Sequence, residues 1–294
     1  MLDGGLASTL QDHGHDLSDA LWSARLLLDE PDAIRAVHRA FFQAGAAVAT
    51  SASYQASFEG FAARGLDRAD TERLLRRSVE LARQARDELA DDGRQRWVAA
   101  SVGPYGAMLA DGAEYRGRYG LSVAALTAWH RPRVEVLAAA GPDVLACETV
   151  PDVDEAEALL AVLAGLGVPA WLSYAISGDR TRAGQPLAEA YAVAAGRPEV
   201  LAVGVNCCAP ADVDAAVVVA REVTGKPVVV YPNGGEDWDP VRREWRGSRR
   251  FPVRRATGWV DNGARLVGGC CRVDPATIAE LSRAVSVPAQ PDRD

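Results

Sequence analysis

The sequence predicts an α/β protein, a single-domain TIM (β/α)8 barrel spanning residues 1–294. Three observations carry that expectation. Short continuous apolar runs rich in β-branched residues recur along the chain, helical stretches with apolar residues at i, i+3 and i+4 lie between them, and no glycine-rich phosphate loop follows the first strand. Continuous apolar runs suit strands buried on both faces, and strand–helix alternation builds right-handed crossover units of a parallel sheet. Eight such units in 294 residues fit a barrel, whereas a doubly wound sheet needs fewer strands and an early phosphate turn.

The elements follow in order. "LDGG" (2–5) is the first strand; only Met1 and Leu2 precede Asp3, so either this strand is stunted or the true start lies upstream, and "DAIRAVHRAFFQAG" (32–45) is the first long amphipathic helix. "AAVATS" (46–51), "WVAASVG" (97–103) and "VLACE" (144–148) are strands two to four, separated by helical "RADTERLLRRSVELARQARDEL" (68–89) and "VAALTAWHRPRVEVLAAAG" (123–141). After the helix "DVDEAEALLAVLAGLG" (152–167) come "AWLSYAI" (170–176), "LAVGVN" (201–206), "PVVVY" (227–231) and "ARLVGG" (264–269). Several helices begin at Asp or Ser and end at Gly, the residues that satisfy the unpaired groups at each helix end. No linker divides the chain, and only "PAQPDRD" near 287–294 reads as a short flexible tail.

Composition narrows the partners. The net charge is −8, which opposes an electrostatic hold on nucleic acid or an anionic membrane. Small molecules are the expected partners. With no basic leader followed by an apolar core, and no apolar run near the ~20 residues that span a bilayer, a cytoplasmic location is expected. In a reducing compartment five cysteines do not form a disulfide framework, so clustering among them points to metal binding or thiol chemistry. Lys226 is the only lysine and sits before a strand, where a surface role fits better than Schiff-base chemistry. The arginine-rich 242–255 segment reads as a solvated loop.

Functional groups of such a barrel lie at the carboxyl ends of its strands. There fall Asp3, Thr50, Glu148, Asn206 with Cys207, Tyr231, and the pair Cys270–Cys271. Strands six and eight are one strand apart around the ring, so their cysteines can converge on one ion. Soft thiolates select zinc, and three protein ligands with an open fourth position describe a catalytic site. Gly268 and Gly269 are expected to let the backbone turn sharply before the paired cysteines. Successive strand residues face opposite ways, so either Cys207 or Cys208 could look inward. Cys147 reads as a core filler, His13 and His15 as the exposed end of a first helix, and His38 and His130 as packing or surface residues.

Taken together, "DGGLAS" (3–8), "LWSARLL" (21–27), "TSASYQASFEGFAARGL" (50–66), "GPYGAMLADGAEYRGRY" (103–119), "ACETVPDVDEAEAL" (146–159), "GVNC" (204–207), "VVYPNGGEDWD" (229–239) and "LVGGCCR" (266–272) resemble the homocysteine S-methyltransferase family. The resemblance implies zinc held by Cys207, Cys270 and Cys271, with Cys208 a bystander. It implies that Asp3 and Glu148 bind the amino group of homocysteine and that Thr50 assists at the carboxylate end. Asn206 and Tyr54 are counted with the substrate-binding residues. The motifs are similar to the branch that uses S-methylmethionine or S-adenosylmethionine, with betaine as the alternative donor.

Chemistry suits this assignment. A free thiol is only about 3% ionised at pH 7, and the thiolate is the nucleophile. Three cysteine ligands leave a zinc site net negative, which favours alkyl transfer over activation of water. Tyr54, Tyr105 and Trp259 are the aromatic candidates for facing a sulfonium donor. Two other readings compete: a zinc hydrolase with Glu148 as base, and a non-enzymatic thiol redox sensor or zinc store.

Overall fold

In a computed structural model of the chain, residues 1–19, 21–239 and 244–286 are described. The predicted tail at 287–294, and Arg242 and Arg243 of the arginine-rich segment, lie outside them. Seven strands, β1 (Val48–Thr50), β2 (Trp97–Val102), β3 (Val144–Val150), β4 (Ala170–Tyr174), β5 (Val200–Asn206), β6 (Val228–Tyr231) and β7 (Ala264–Val267), form one parallel sheet in chain order. Helices α1 (Pro31–Gln43), α2 (Arg68–Asp87), α3 (Val123–Ala139), α4 (Val153–Leu163), α5 (Leu187–Ala192), α6 (Val213–Thr224), α7 (Arg255–Asp261) and α8 (Pro275–Ser286) alternate with them. Each apolar run named from the sequence is a strand of this sheet.

The first expected strand is reduced to a bridge. Leu2 pairs in parallel with Val48, the amides of Ala47 and Val48 donate to the Met1 carbonyl, and the Leu2 amide donates to Val267 at 2.8 Å. The Gly269 amide donates to Asp3 at 3.0 Å. Met1 to Asp3 therefore hydrogen-bond to both edges, β1 and β7, and close the ring. Closure removes unpaired strand edges and fixes Asp3 at the mouth.

Two apolar cores result. Between strands and helices lies the larger one, in which α1 buries Ile34, Val37, His38, Phe41 and Phe42, the face that its i, i+3, i+4, i+7 spacing creates. Inside the ring lies a smaller one made of Leu2, Val48, Ala99, Val144, Ala146, Trp171, Ala202, Val229 and Tyr231. The fully buried Trp171 fills this floor, and three alanines make room for it. Its Nε1 donates to the Tyr231 hydroxyl at 3.0 Å, which satisfies the indole and fixes the ring that rises toward the mouth.

The glycines serve close approach. Gly268 and Gly269 do not take left-handed backbone angles; a Cβ on Gly268 would lie 2.7 Å from the Asp3 carbonyl and one on Gly269 would lie 2.2 Å from Val273. The expectation of a sharp glycine turn is thus corrected to a requirement for empty space where β7 meets the Met1–Asp3 segment. Gly204, paired with Val229, is tighter still, with a Cβ falling 1.7 Å from the Val229 carbonyl oxygen. Backbone on the neighbouring strand cannot yield. Gly204→Ala is expected to destabilise the fold by about 3 kcal/mol in chemical denaturation, the upper range for overpacking; a loss below about 0.5 kcal/mol would show that β5 and β6 are not held at this spacing.

Candidate metal centre and active site

At the carboxyl ends of the strands the Sγ atoms of Cys207, Cys270 and Cys271 lie within 4.8 Å of one another. All five cysteines are free thiols. Cys207 follows directly on β5 and takes a φ of 49°, a left-handed conformation that costs a non-glycine residue about 1–2 kcal/mol. This kink decides between the adjacent cysteines. Cys207 faces Cys270 and Cys271, while Cys208 is wholly buried in the outer core. Cys147 is in that core too, its thiol pushed up to about 12 by burial.

A second left-handed residue, Thr149 at φ 58°, lies in the β-bulge between Cys147 and Val150 on β3. The bulge re-aims the strand end so that Cys147 faces the outer core and Glu148 faces the mouth. Asn206 holds the site together. Its Oδ1 accepts from the Thr149 amide and the Ser173 hydroxyl, both at 2.7 Å, and its Nδ2 donates to Thr149 Oγ1 at 2.7 Å. Expected among the substrate-binding residues, Asn206 is fully buried and its amide is committed to this clamp.

The paired cysteines are held by backbone. The Cys270 amide donates to Pro232 at 2.8 Å and the Gly234 amide to Cys271 at 2.9 Å. Behind them Arg272 pairs with Glu236 at 3.1 Å, and Arg249 pairs with Asp12 at 3.1 Å and Asp274 at 3.3 Å. Arg249 belongs to the arginine-rich segment expected to be a solvated loop; its guanidinium instead ties that segment to the loop bearing the thiols.

Negative charge converges on the mouth. Hydrogen bonds from Cys270 and Cys271, then from Thr149 and Tyr115, hold the Cys207 thiol well below its ordinary value, and the two donors are pushed up. Glu148 is buried, accepts hydrogen bonds from the Ser101 and Tyr231 hydroxyls, and is pushed up to about 8 by desolvation, with the charges of Cys207 and Asp3 adding. Asp3 accepts from the Thr50 amide at 2.7 Å and the Thr50 hydroxyl at 3.0 Å, yet burial pushes its carboxyl up to about 7. Thr50 is therefore engaged with Asp3. Ser51 and Ser53 share a hydrogen bond at 2.8 Å, and Ser53 donates to the Ser101 carbonyl at 2.7 Å, which pins the loop after β1 against β2.

Of the aromatic candidates, Tyr54 is at the site: its hydroxyl hydrogen-bonds the Thr149 side chain, and Cys207, Glu114 and Glu148 all act on it electrostatically. Tyr105 packs between Tyr119 and Trp129, with ring centroids 5.2 and 5.0 Å away. Trp259 is a correction: it is fully buried on α7 against Phe251 and contributes to the outer core. Tyr115, whose hydroxyl hydrogen-bonds Cys207, and its neighbour Glu114 were not singled out by the strand-tip rule, because both sit on a turn within the loop after β2. His13 is exposed beyond a short helix, and His15 pairs with Glu30 at 3.1 Å. His130 is buried against Glu155 at 2.9 Å, while His38 is buried in the outer core and held neutral, its value lowered to about 4 by burial. Lys226 spans two surface carbonyls, Arg197 and Val200, at 2.8 Å each.

A parallel barrel with three convergent thiols and two buried carboxylates at its mouth defines a barrel enzyme whose thiol centre could hold a metal ion. Residues 1–285 match the family described as homocysteine S-methyltransferase. The chain is 47% identical to the homocysteine S-methyltransferase of Escherichia coli, over 96% of this chain and 93% of that protein. It is 43% identical to a selenocysteine Se-methyltransferase of Brassica oleracea, covering 96% of this chain and 88% of the relative. The metallated crystal form of the E. coli homocysteine methyltransferase MmuM superposes with a TM-score of 0.87 at 46% identity, covering 96% of this chain and 94% of that one. The chain belongs to the homocysteine S-methyltransferase family and is a methyltransferase acting on homocysteine. Among the described residues no helix is long and apolar enough to cross a membrane.

The buried Glu148 gives a stability prediction. An acid whose folded pKa is raised holds its proton more tightly when folded, so its penalty is absent below about 4.5 and complete above about 8. Glu148→Gln is expected to raise stability at pH 9 by about 1–3 kcal/mol and to change it little at pH 4; equal Tm shifts at both pH values would contradict a desolvated carboxylate.

Proposed function

We propose that this chain transfers a methyl group from a sulfonium donor, S-methylmethionine or S-adenosylmethionine, to the sulfur of L-homocysteine, with Zn²⁺ held by Cys207, Cys270 and Cys271. The observation that carries this reading is the clustering of three thiols beside two buried carboxylates. Around a tetrahedral zinc with ~2.3 Å bonds, sulfurs sit roughly 3.8 Å apart, so thiols within 4.8 Å need only close by a fraction of that distance. All-sulfur donors suit zinc, and the loops bearing them are fixed by backbone bonds. Bound zinc supplies a Lewis acid that keeps the acceptor sulfur ionised at neutral pH.

The chain's residues do the rest. Asp3 and Glu148 offer two desolvated carboxylates to the homocysteine ammonium, whose charge returns both to their ionised forms. Thr50 and Ser101 hold those carboxylates in place. Tyr54 presents a ring to the incoming cation, and Tyr115 orients Cys207. No general base is required, because the attacking sulfur carries its electron pair already. Positioning of the two sulfurs in line with the methyl carbon then supplies much of the rate.

Two measurements test this. Purified zinc-loaded protein with homocysteine should form methionine from S-methylmethionine or S-adenosylmethionine and none from betaine; no methionine from either sulfonium would overturn the reading. Cys207→Ser should lose bound zinc and reduce turnover by more than about 100-fold, whereas Cys208→Ser keeps one zinc per chain. Retention of zinc by the Cys207 variant would show that the ligand set is wrong.

A further inference from the structure

The loop between β2 and α3 is held more firmly than a surface loop needs to be. Glu155 of α4, itself fully buried, accepts from the Tyr105 amide, from the Tyr119 hydroxyl at 3.2 Å, and meets His130 Nε2 at 2.9 Å. Gly106 lies so close to the turn Ala113–Tyr115 that a Cβ there would sit 2.4 Å from the Glu114 amide nitrogen. The result is a rigid turn aimed at the thiols. At its end the Tyr115 hydroxyl bonds Cys207, and the Arg182 guanidinium stacks 5.5 Å from the centre of the Tyr115 ring.

Glu114 sits on the same turn. Its Oε2 is buried with no hydrogen-bond partner, and among the described residues no basic side chain lies within 4.0 Å of its carboxylate. The nearest cation in sequence, Arg116, is paired with Asp111 at 3.3 Å. Glu114 lies within electrostatic reach of Tyr54 and Cys207, and burial pushes its carboxyl up to about 7. Its own backbone amide and the more distant charge of Arg116 offset that burial only in part, and Oε2 is left without a partner. Asp3 and Glu148 are already coupled to each other on the other strands and serve the acceptor's ammonium.

We propose that Glu114 is the counter-ion of the methyl donor's positive sulfur, with the rings of Tyr54 and Tyr115 beside it, so that this side chain sets the preference for a sulfonium over a neutral thioether. This rests on the sulfonium-donor reading above. In the transfer, the donor S–CH₃ bond breaks, its electron pair remains on the departing sulfur, and the homocysteine thiolate forms the new S–CH₃ bond. The donor's positive charge disappears in that step. Glu114 thus attracts the donor before transfer and ceases to hold it afterwards, which favours release of the neutral thioether. The role is one of binding and discrimination that fades as the charge is lost, so on its removal KM should rise and kcat should not fall.

Calorimetric titration of S-methylmethionine into zinc-loaded protein without homocysteine, for the wild type, Glu114→Gln and Glu114→Asp, tests it. Glu114→Gln should bind S-methylmethionine about tenfold more weakly and raise its KM alike, with kcat, the KM for homocysteine and the zinc content within about twofold. Glu114→Asp, which keeps the charge, should recover most of the affinity. Methionine, the same skeleton without the extra methyl and its charge, should bind wild type and Glu114→Gln equally. Unchanged S-methylmethionine affinity in Glu114→Gln, or an equal loss for methionine, would overturn the proposal. A wild type that binds S-methylmethionine yet forms no methionine would defeat the proposed reaction, while the calorimetric comparison still decides the role of Glu114. A wild type that binds none would remove both.

Discussion

Acids taken out of water without a cation shift toward their neutral forms, and the mouth of this barrel collects three such acids, Asp3, Glu148 and Glu114, around a Cys207 thiol that its hydrogen bonds hold well below its ordinary value. No arginine among the described residues comes within 4.0 Å of the Asp3, Glu148 or Glu114 carboxylates; the nearby guanidiniums are engaged elsewhere, Arg272 with Glu236 and Arg116 with Asp111. A fold gains nothing in stability from this arrangement. On the function proposed above, outside cations complete the site: a metal ion, an ammonium and a sulfonium, each with its own set of anions.

The geometry depends on two strained residues that support each other. Thr149 and Cys207 take left-handed angles at the tips of β3 and β5, and both conformations would relax if they stood alone. Asn206 binds Thr149 through amide and hydroxyl, Ser173 adds a third bond, and the Tyr115 hydroxyl reaches the Cys207 sulfur. Below them Trp171 and Tyr231 form a rigid floor, and the Tyr231 hydroxyl passes from the indole to Glu148. Apolar packing inside the ring is thereby converted into the position of a charged side chain.

Much of this was legible in the residues. The strands announced themselves because a parallel barrel buries both faces of every strand, and the thiols because cysteines clustered at two strand ends. What escaped depends on contacts between distant parts of the chain. Residues 2–5 read as a short strand; that they form only a bridge is set by how β1 and β7 approach them. Period two could not choose between Cys207 and Cys208, because the kink that decides it is held by Asn206, Thr149 and Ser173 on three different strands. Trp259 is an aromatic candidate by its place near the strand tips, yet its helix turns it into the outer core. Glu114 and Tyr115 lie on a turn with no periodicity, so their direction comes only from the buried Glu155 network beneath them.

The centre is also assembled from segments far apart in the sequence, Asp3 and the Cys270–Cys271 pair. A nascent chain synthesised as far as Tyr231 already carries Asp3, Thr50, Glu114, Glu148 and Cys207, but lacks two of the three thiols and the strand on which Leu2 rests. Sealing of the ring and completion of the thiol cluster therefore both wait for the segment that carries β7 and the paired cysteines. Until Cys270 and Cys271 have been made, Cys207 is the only member of the cluster present, and a chain that stops before Ala264 lacks the strand to which the Leu2 amide bonds.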